Sequence, residues 1–176
     1  MTKPTLPEGR PVASDPYFTL MADPEGVGYV HCGDGVLVVP LTADGQVLLA
    51  VEHSPAFGRE ILTLVAGSVD EGESPQEAAN RELQEELGWR AERIVFLGEL
   101  HPFKYLHSRQ FLFLGQELVP GRLQGDEQHP VRARRIPLDR WWELWKQSEL
   151  QDALAIAALS LAERHLAGLG GRLGGR

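Results

Sequence analysis

The sequence predicts an α/β fold: one domain, built as a sandwich of strands around a few helices. Three observations lead there. Short apolar runs bounded by glycine, proline and aspartate recur between residues 28 and 137, as strands do. Between them lies one segment carrying both the start and the stop signals of a helix. The chain has 176 residues, 43% of them hydrophobic, enough for one domain with a sizeable core.

Taken in order, residues 1–16 hold four prolines and few large apolar side chains, and are expected to form a flexible arm. The folded domain is expected over residues 17–167. In VLVVPLTADGQVLLAVEH, from Val36 to His53, two apolar runs flank Asp44-Gly45, a strong hairpin signal. EILTLVAG reads as a further short strand ending at a glycine. RIVFLGEL and RQFLFLGQELV read as two more, and VRARRIPL as the last. Late in the chain, one helix is expected after Asp139, with Trp141, Trp142 and Trp145 anchoring it to the sheet. A second runs from about Asp152 to Leu166. Residues 168–176 are rich in glycine and are expected to be a flexible tail.

The segment GESPQEAANRELQEELGW, Gly72 to Trp89, is the most informative. Ser74 is placed to cap a helix, Pro75 suits its first position, and Glu77 completes the S-x-x-E capping box. Gly88 offers a left-handed stop. At about 100° per residue, Ala79, Leu83 and Leu87 form one apolar stripe. Glu82, Glu85 and Glu86 fall in an arc next to that stripe, and Arg81 points toward the side of Glu77 or back to the preceding loop.

Composition excludes several classes of function. A net charge of −8 and an isoelectric point near 5.2 disfavour generic binding to nucleic-acid phosphates. A single cysteine, Cys32, rules out an intramolecular disulfide and any multi-cysteine zinc site, and it is expected as a small buried apolar group. No apolar secretory segment or membrane span is evident, so a cytoplasmic protein without a membrane partner is expected.

Like charges at helical neighbour spacing repel by a few tenths of a kcal/mol per pair. Three glutamates at the edge of a core are therefore costly unless a cation offsets them. Oxygen ligands of this kind suit Mg²⁺ or Mn²⁺ rather than zinc. The plain alternative is a solvated acidic helix.

The full spacing decides between the two. Gly67, five residues, Glu73, seven residues, then RELQEELGW reads G-x5-E-x7-R-E-U-x-E-E-x-G-U, with U a bulky apolar residue. This resembles the signature of the Nudix hydrolases, with Trp89 standing where an aliphatic residue is usual. EAANREL and LQGDE are similar to the branch that cleaves ADP-ribose and other ADP compounds.

The resemblance implies an α/β/α sandwich with a mixed central sheet and a metal-dependent pyrophosphohydrolase. It would cleave ADP-ribose, NADH or diadenosine polyphosphates by attack of water, releasing AMP. Glu82, Glu85, Glu86 and the backbone carbonyl of Ala66 would hold the divalent metal. Glu85, Glu86 and the loop residue Glu127 would act in catalysis, and Glu73 with Arg81 would form a structural ion pair. The branch is usually homodimeric through N-terminal strands, for which DPYFTLMAD and GVGYVHCG are candidates.

For substrate binding, Arg59 and Lys104 offer positive charge, while Phe103, Tyr105 and His107 offer rings that stack. Two positions depart from the branch: Lys104 stands where a proline is common, and Thr63 where a glutamate is common. Both point to looser substrate preference. The alternatives are the same chemistry on another nucleoside diphosphate sugar, such as GDP-mannose, and a non-catalytic nucleotide-binding module. The presence of Glu73, Glu82, Glu85 and Glu86 disfavours the module.

Overall fold

The computed structural model describes residues 8–125 and 131–169. Its centre is a four-stranded sheet formed by β7 (Val65–Ser68), β4 (Gly35–Pro40), β10 (Gln110–Pro120) and β8 (Trp89–Leu100), in that order. Strands β4 and β10 run parallel, with Phe111 beside Val36 and Leu114 beside Val39, and the other pairs are antiparallel. The sheet is mixed, as expected.

Strand β4 is buried along its whole length, so it carries an unbroken apolar run rather than an alternating one. Its side chains nonetheless serve two cores. Val36 and Val38, with Phe111 and Phe113, meet Ala78, Ala79 and Leu83 of α1 (Pro75–Leu87). Leu37 and Val39, with Leu112 and Leu114, meet Ala155, Ala158, Leu159 and Ala162 of α3 (Ala153–Leu166). Period-2 alternation thus places one helix on each face, and each fully buried leucine or valine contributes about 1.5–3 kcal/mol. This is the α/β/α sandwich.

The Asp44-Gly45 turn forms, with Thr42 N–H donating to Gln46 O and Gly45 N–H to Thr42 O. The strands it joins do not remain a hairpin. After the Leu41–Val47 bridge, β5 (Gln46–Ser54) leaves β4 and pairs with β6 (Arg59–Thr63) and β11 (Arg132–Pro137) in a separate three-stranded sheet. EILTLVAG is correspondingly two strands, β6 and β7, each in its own sheet. The long-range partners win because they let both faces of β4 be covered.

A third sheet orders β1 (Arg10–Ser14), β2 (Thr19–Ala22), β3 (Gly28–His31) and the two-residue β9 (Leu106–His107). Regular structure therefore begins inside the segment expected to be a flexible arm. Arg10 pairs with Ala22, and Ser14 with Thr19. This sheet leaves Val12, Tyr17, Phe18 and Leu20 exposed.

The short helix α2 (Trp141–Lys146) corrects a second expectation. Only Trp141 of its tryptophans packs against the core. Trp142 and Trp145 are exposed and stack on each other with centroids 6.4 Å apart, and Lys146 lies 3.8 Å over the Trp142 ring. Cys32 is half-buried rather than buried. No helix among the described residues is long and apolar enough to cross a membrane.

Candidate active site

The local signals of α1 are satisfied. Ser74 Oγ accepts from Glu77 N–H at 3.2 Å, Glu77 Oε2 accepts from Ser74 N–H at 2.9 Å, and Gly88 ends the helix at φ 72°. Burial of Ala78, Ala79 and Leu83 against the central sheet fixes the rotation of the helix. That rotation carries Glu82 and Glu86 inward with the apolar stripe, leaving them 7% and 5% exposed. Charged side chains are seldom buried to this degree without compensation.

Strand β7 supplies the opposing wall. Ala66, in register with Leu37, donates its N–H to Glu86 Oε1 at 3.2 Å. Next to it, a Cβ added to Gly67 would come within 2.0 Å of the Glu82 carboxyl carbon. The glycine at this position is a space requirement set by the carboxylate.

Arg81 ties the cluster together. Its Nε and Nη2 donate to the two oxygens of Glu73, each at 3.0 Å, and Nη2 also donates to the carbonyl of Ser68 at 2.8 Å. Its Nη1 donates to Glu82 Oε1 at 2.7 Å and to Glu85 Oε2 at 3.0 Å. The expected Glu73–Arg81 pair is present. Arg81 reaches back to the preceding loop through Glu73 and Ser68, as expected, and its guanidinium also bridges Glu82 and Glu85, which its helical angle did not suggest. The hydrogen bond with Arg81 holds the Glu73 carboxyl below the usual glutamate range, and the same contacts raise the pKa of Arg81.

These groups open on a cleft of about 870 Å³. Ala66, Gly67, Arg81, Glu82 and Glu85 line one side. Tyr17, from the turn between β1 and β2, and Glu52 and His53 of β5 also line it, and sequence reasoning did not assign them to the site. Glu52 and His53 stand at the end of β5 where it approaches the cleft, a placement set by the packing of the sheets and not by any local pattern.

The proposed substrate-binding residues lie elsewhere in the chain. Arg59 donates to Gln151 Oε1 at 3.1 Å and lies 5.9 Å from the centre of the Phe57 ring. Phe103, Lys104 and Tyr105, with His107, line a second cavity, where Lys104 sits 4.7 Å over the Tyr105 ring. Glu127 lies outside the described residues, but Gln124, Gly125 and Val131 on either side of its segment line the cleft.

The carboxylates of Glu82, Glu85 and Glu86, beside space kept clear by Gly67, offer oxygen donors only. This chemistry fits a hard divalent cation. Among the described residues, no three ligating side chains converge into a finished shell, because Glu82 and Glu85 are turned to Arg81.

A carboxylate-lined helix held over a glycine on the facing strand, inside an α/β/α sandwich, defines the class. The chain matches the NUDIX domain over residues 33–156, and it belongs to the Nudix hydrolase family. It is 34% identical over 138 residues to the ADP compounds hydrolase NudE of Escherichia coli (strain K12), covering 78% of this chain and 74% of that protein. It is 27% identical to the ADP-ribose pyrophosphatase of Bacillus subtilis (strain 168), covering 73% and 72%. A crystal structure of an ADP compounds hydrolase superposes with a TM-score of 0.78 at 31% identity, covering 97% of each chain. Nudix hydrolases generally use divalent metals, in keeping with the donor set here.

Proposed function

We propose that this Nudix hydrolase cleaves the diphosphate of ADP-ribose and related ADP compounds, with Mg²⁺ or Mn²⁺ as cofactor, releasing AMP. The observation that carries the reading is the buried pair Glu82 and Glu86, set against Ala66 and Gly67, with Glu82 facing the cleft and Glu86 behind it. The names of the relatives that match most of the chain support the substrate class.

In this reading Glu82, Glu85, Glu86 and the Ala66 carbonyl hold the cation. A divalent ion bound there supplies charge compensation for the phosphate oxygens and lowers the pKa of water. The Glu73–Arg81 pair fastens the loop to α1 and aims Glu82 and Glu85. Glu127, from the segment between Gly125 and Val131, accepts the proton of the attacking water. Water adds to one phosphorus, the bridging oxygen departs with the other phosphate, and no covalent enzyme intermediate forms. The enzyme works in the cytoplasm as a homodimer, its N-terminal sheets covering one another's apolar side chains.

Incubation with Mg²⁺ and a panel of ADP-ribose, NADH, diadenosine triphosphate and GDP-mannose tests the assignment. AMP released from the adenine compounds, and abolished by EDTA, supports it. GMP released from the sugar nucleotide alone overturns it.

A further inference from the structure

Far along the chain from the Nudix helix, two imidazoles face each other. His31 ends β3 and His107 ends β9, and the two are register partners in a short parallel ladder. Their Nδ1 atoms are 3.0 Å apart, with ring centroids at 5.2 Å and planes tilted by 44°. Both residues are half-buried. The backbone around them is pinned: Val30 N–H donates to Tyr105 O at 2.8 Å, and Cys32 N–H to His107 O at 3.3 Å.

We infer that His31 and His107 form a two-imidazole binding site for a transition-metal ion, distinct from the carboxylate cleft. The argument is geometric. Metal–imidazole bonds are about 2.0–2.1 Å, so two nitrogens 3.0 Å apart subtend close to 90° at a shared ion. That is the cis angle of tetragonal Cu²⁺ or Ni²⁺, whereas tetrahedral Zn²⁺ would require the nitrogens to part to about 3.4 Å. Imidazole is also a ligand these ions favour.

Without an ion, one ring donates its Nδ1–H to the other. With an ion, the donor ring moves that proton to Nε2, so both Nδ1 lone pairs bind and no net proton is released. The register of β3 and β9 sets the spacing, so the backbone can stay in place while the two rings turn until both Nδ1 lone pairs converge on the ion instead of lying along the line between them. Among the described residues no third ligating side chain joins the pair, and water completes the shell. A cavity of about 550 Å³, lined by Tyr29, Phe103, Tyr105 and His107, gives access, and it shares no lining residue with the cleft.

The test is Cu²⁺ titrated into the full chain with excess Mg²⁺ present, read by electron paramagnetic resonance and calorimetry. One tightly held Cu²⁺ per chain with coupling to two nitrogens is expected. His31→Gln and His107→Gln should each remove the two-nitrogen pattern and weaken binding at least about tenfold. A two-nitrogen signal that persists in both variants, or none in the parent protein, overturns the site. Should either variant unfold by circular dichroism, the parent alone decides. Selective paramagnetic broadening of the His31 and His107 ring protons supports the site, and sharp signals from both overturn it.

Discussion

The carboxylate of Glu82 fills the space that a side chain at residue 67 would need, with a Cβ there only 2.0 Å from its carboxyl carbon. Gly67→Ala should therefore displace Glu82 from the wall formed by β7 while leaving the chain folded. Misplacing a catalytic group by about 1 Å costs on the order of 100-fold in rate, and a loss of that size is expected in kcat. Steady-state kinetics with circular dichroism checks it. Near-parental turnover would mean that the position of Glu82 is not critical.

Glu86→Gln should lower turnover by roughly 100-fold or more while leaving the fold intact, since the change also removes like-charge repulsion with Glu82 one turn away. Its Mg²⁺ affinity, measured by calorimetry, should fall in parallel. Unchanged metal binding and turnover would refute the ligand role.

Arg81 Nη1 compensates both Glu82 and Glu85. Removing one partner of a buried ion network commonly costs 3–5 kcal/mol; with the Arg81 side chain 23% exposed, solvent screening reduces this to about 2 kcal/mol for Arg81→Ala. Mg²⁺ stabilises whichever state binds it, and should recover part of that loss. Urea denaturation with and without Mg²⁺ measures both. A loss that Mg²⁺ does not reduce would argue against shared carboxylates.

Glu73 gives a pH signature. Its folded-state pKa is depressed, foremost by its hydrogen bond with Arg81, so the folded state favours the ionised form. The resulting stability is fully present above the unfolded-state value, about 4.3 for glutamate. It is lost as pH falls from there through the lower folded-state pKa. In metal-free protein, Glu73→Gln should reduce stability at pH 7 and flatten the acid limb below about pH 4.3. Denaturant midpoints from pH 7 to 3 test this, and parallel curves for the two proteins would contradict it.

Tyr17 and Phe18 are 70% and 50% exposed, and Leu20 is exposed beside them on β2. Exposed apolar side chains grouped in this way favour a protein partner, which in the proposed homodimer is a second copy. Phe18→Arg with Leu20→Arg should convert a dimer to a monomer. Light scattering at micromolar concentration decides, and a monomeric parent protein would remove the basis for the proposal.

How much of this was legible in the sequence depended on range. Helix α1 was readable because Ser74, Glu77 and Gly88 act within a few residues, and the glutamate spacing is local too. The Asp44-Gly45 turn was equally local and formed. The parting of β4 and β5 after Leu41 was not readable, because it is set by β7, β10, β6 and β11, whose pairing no local window contains. Arg81 shows a different limit. Its helical angle suggested one direction, yet its long side chain reaches Glu73, Glu82 and Glu85 together. Glu85 stands at i,i+4 from Arg81, so that contact was open to sequence reasoning. Tyr17 and His53 reach the cleft only through the arrangement of the three sheets.

Thr63, at the end of β6, stands where the branch commonly has a glutamate. Its hydroxyl donates to Asp152 Oδ2 at 2.6 Å, while Asp152 Oδ1 caps α3 at Leu154 and Ala155. One aspartate thus fastens the start of the last helix to the strand that leads, through Leu64, into Ala66 and Gly67. The final fourteen-residue helix is in that sense a fixture of the catalytic wall, and trimming the protein from its far end would loosen the site long before it reached the chemistry.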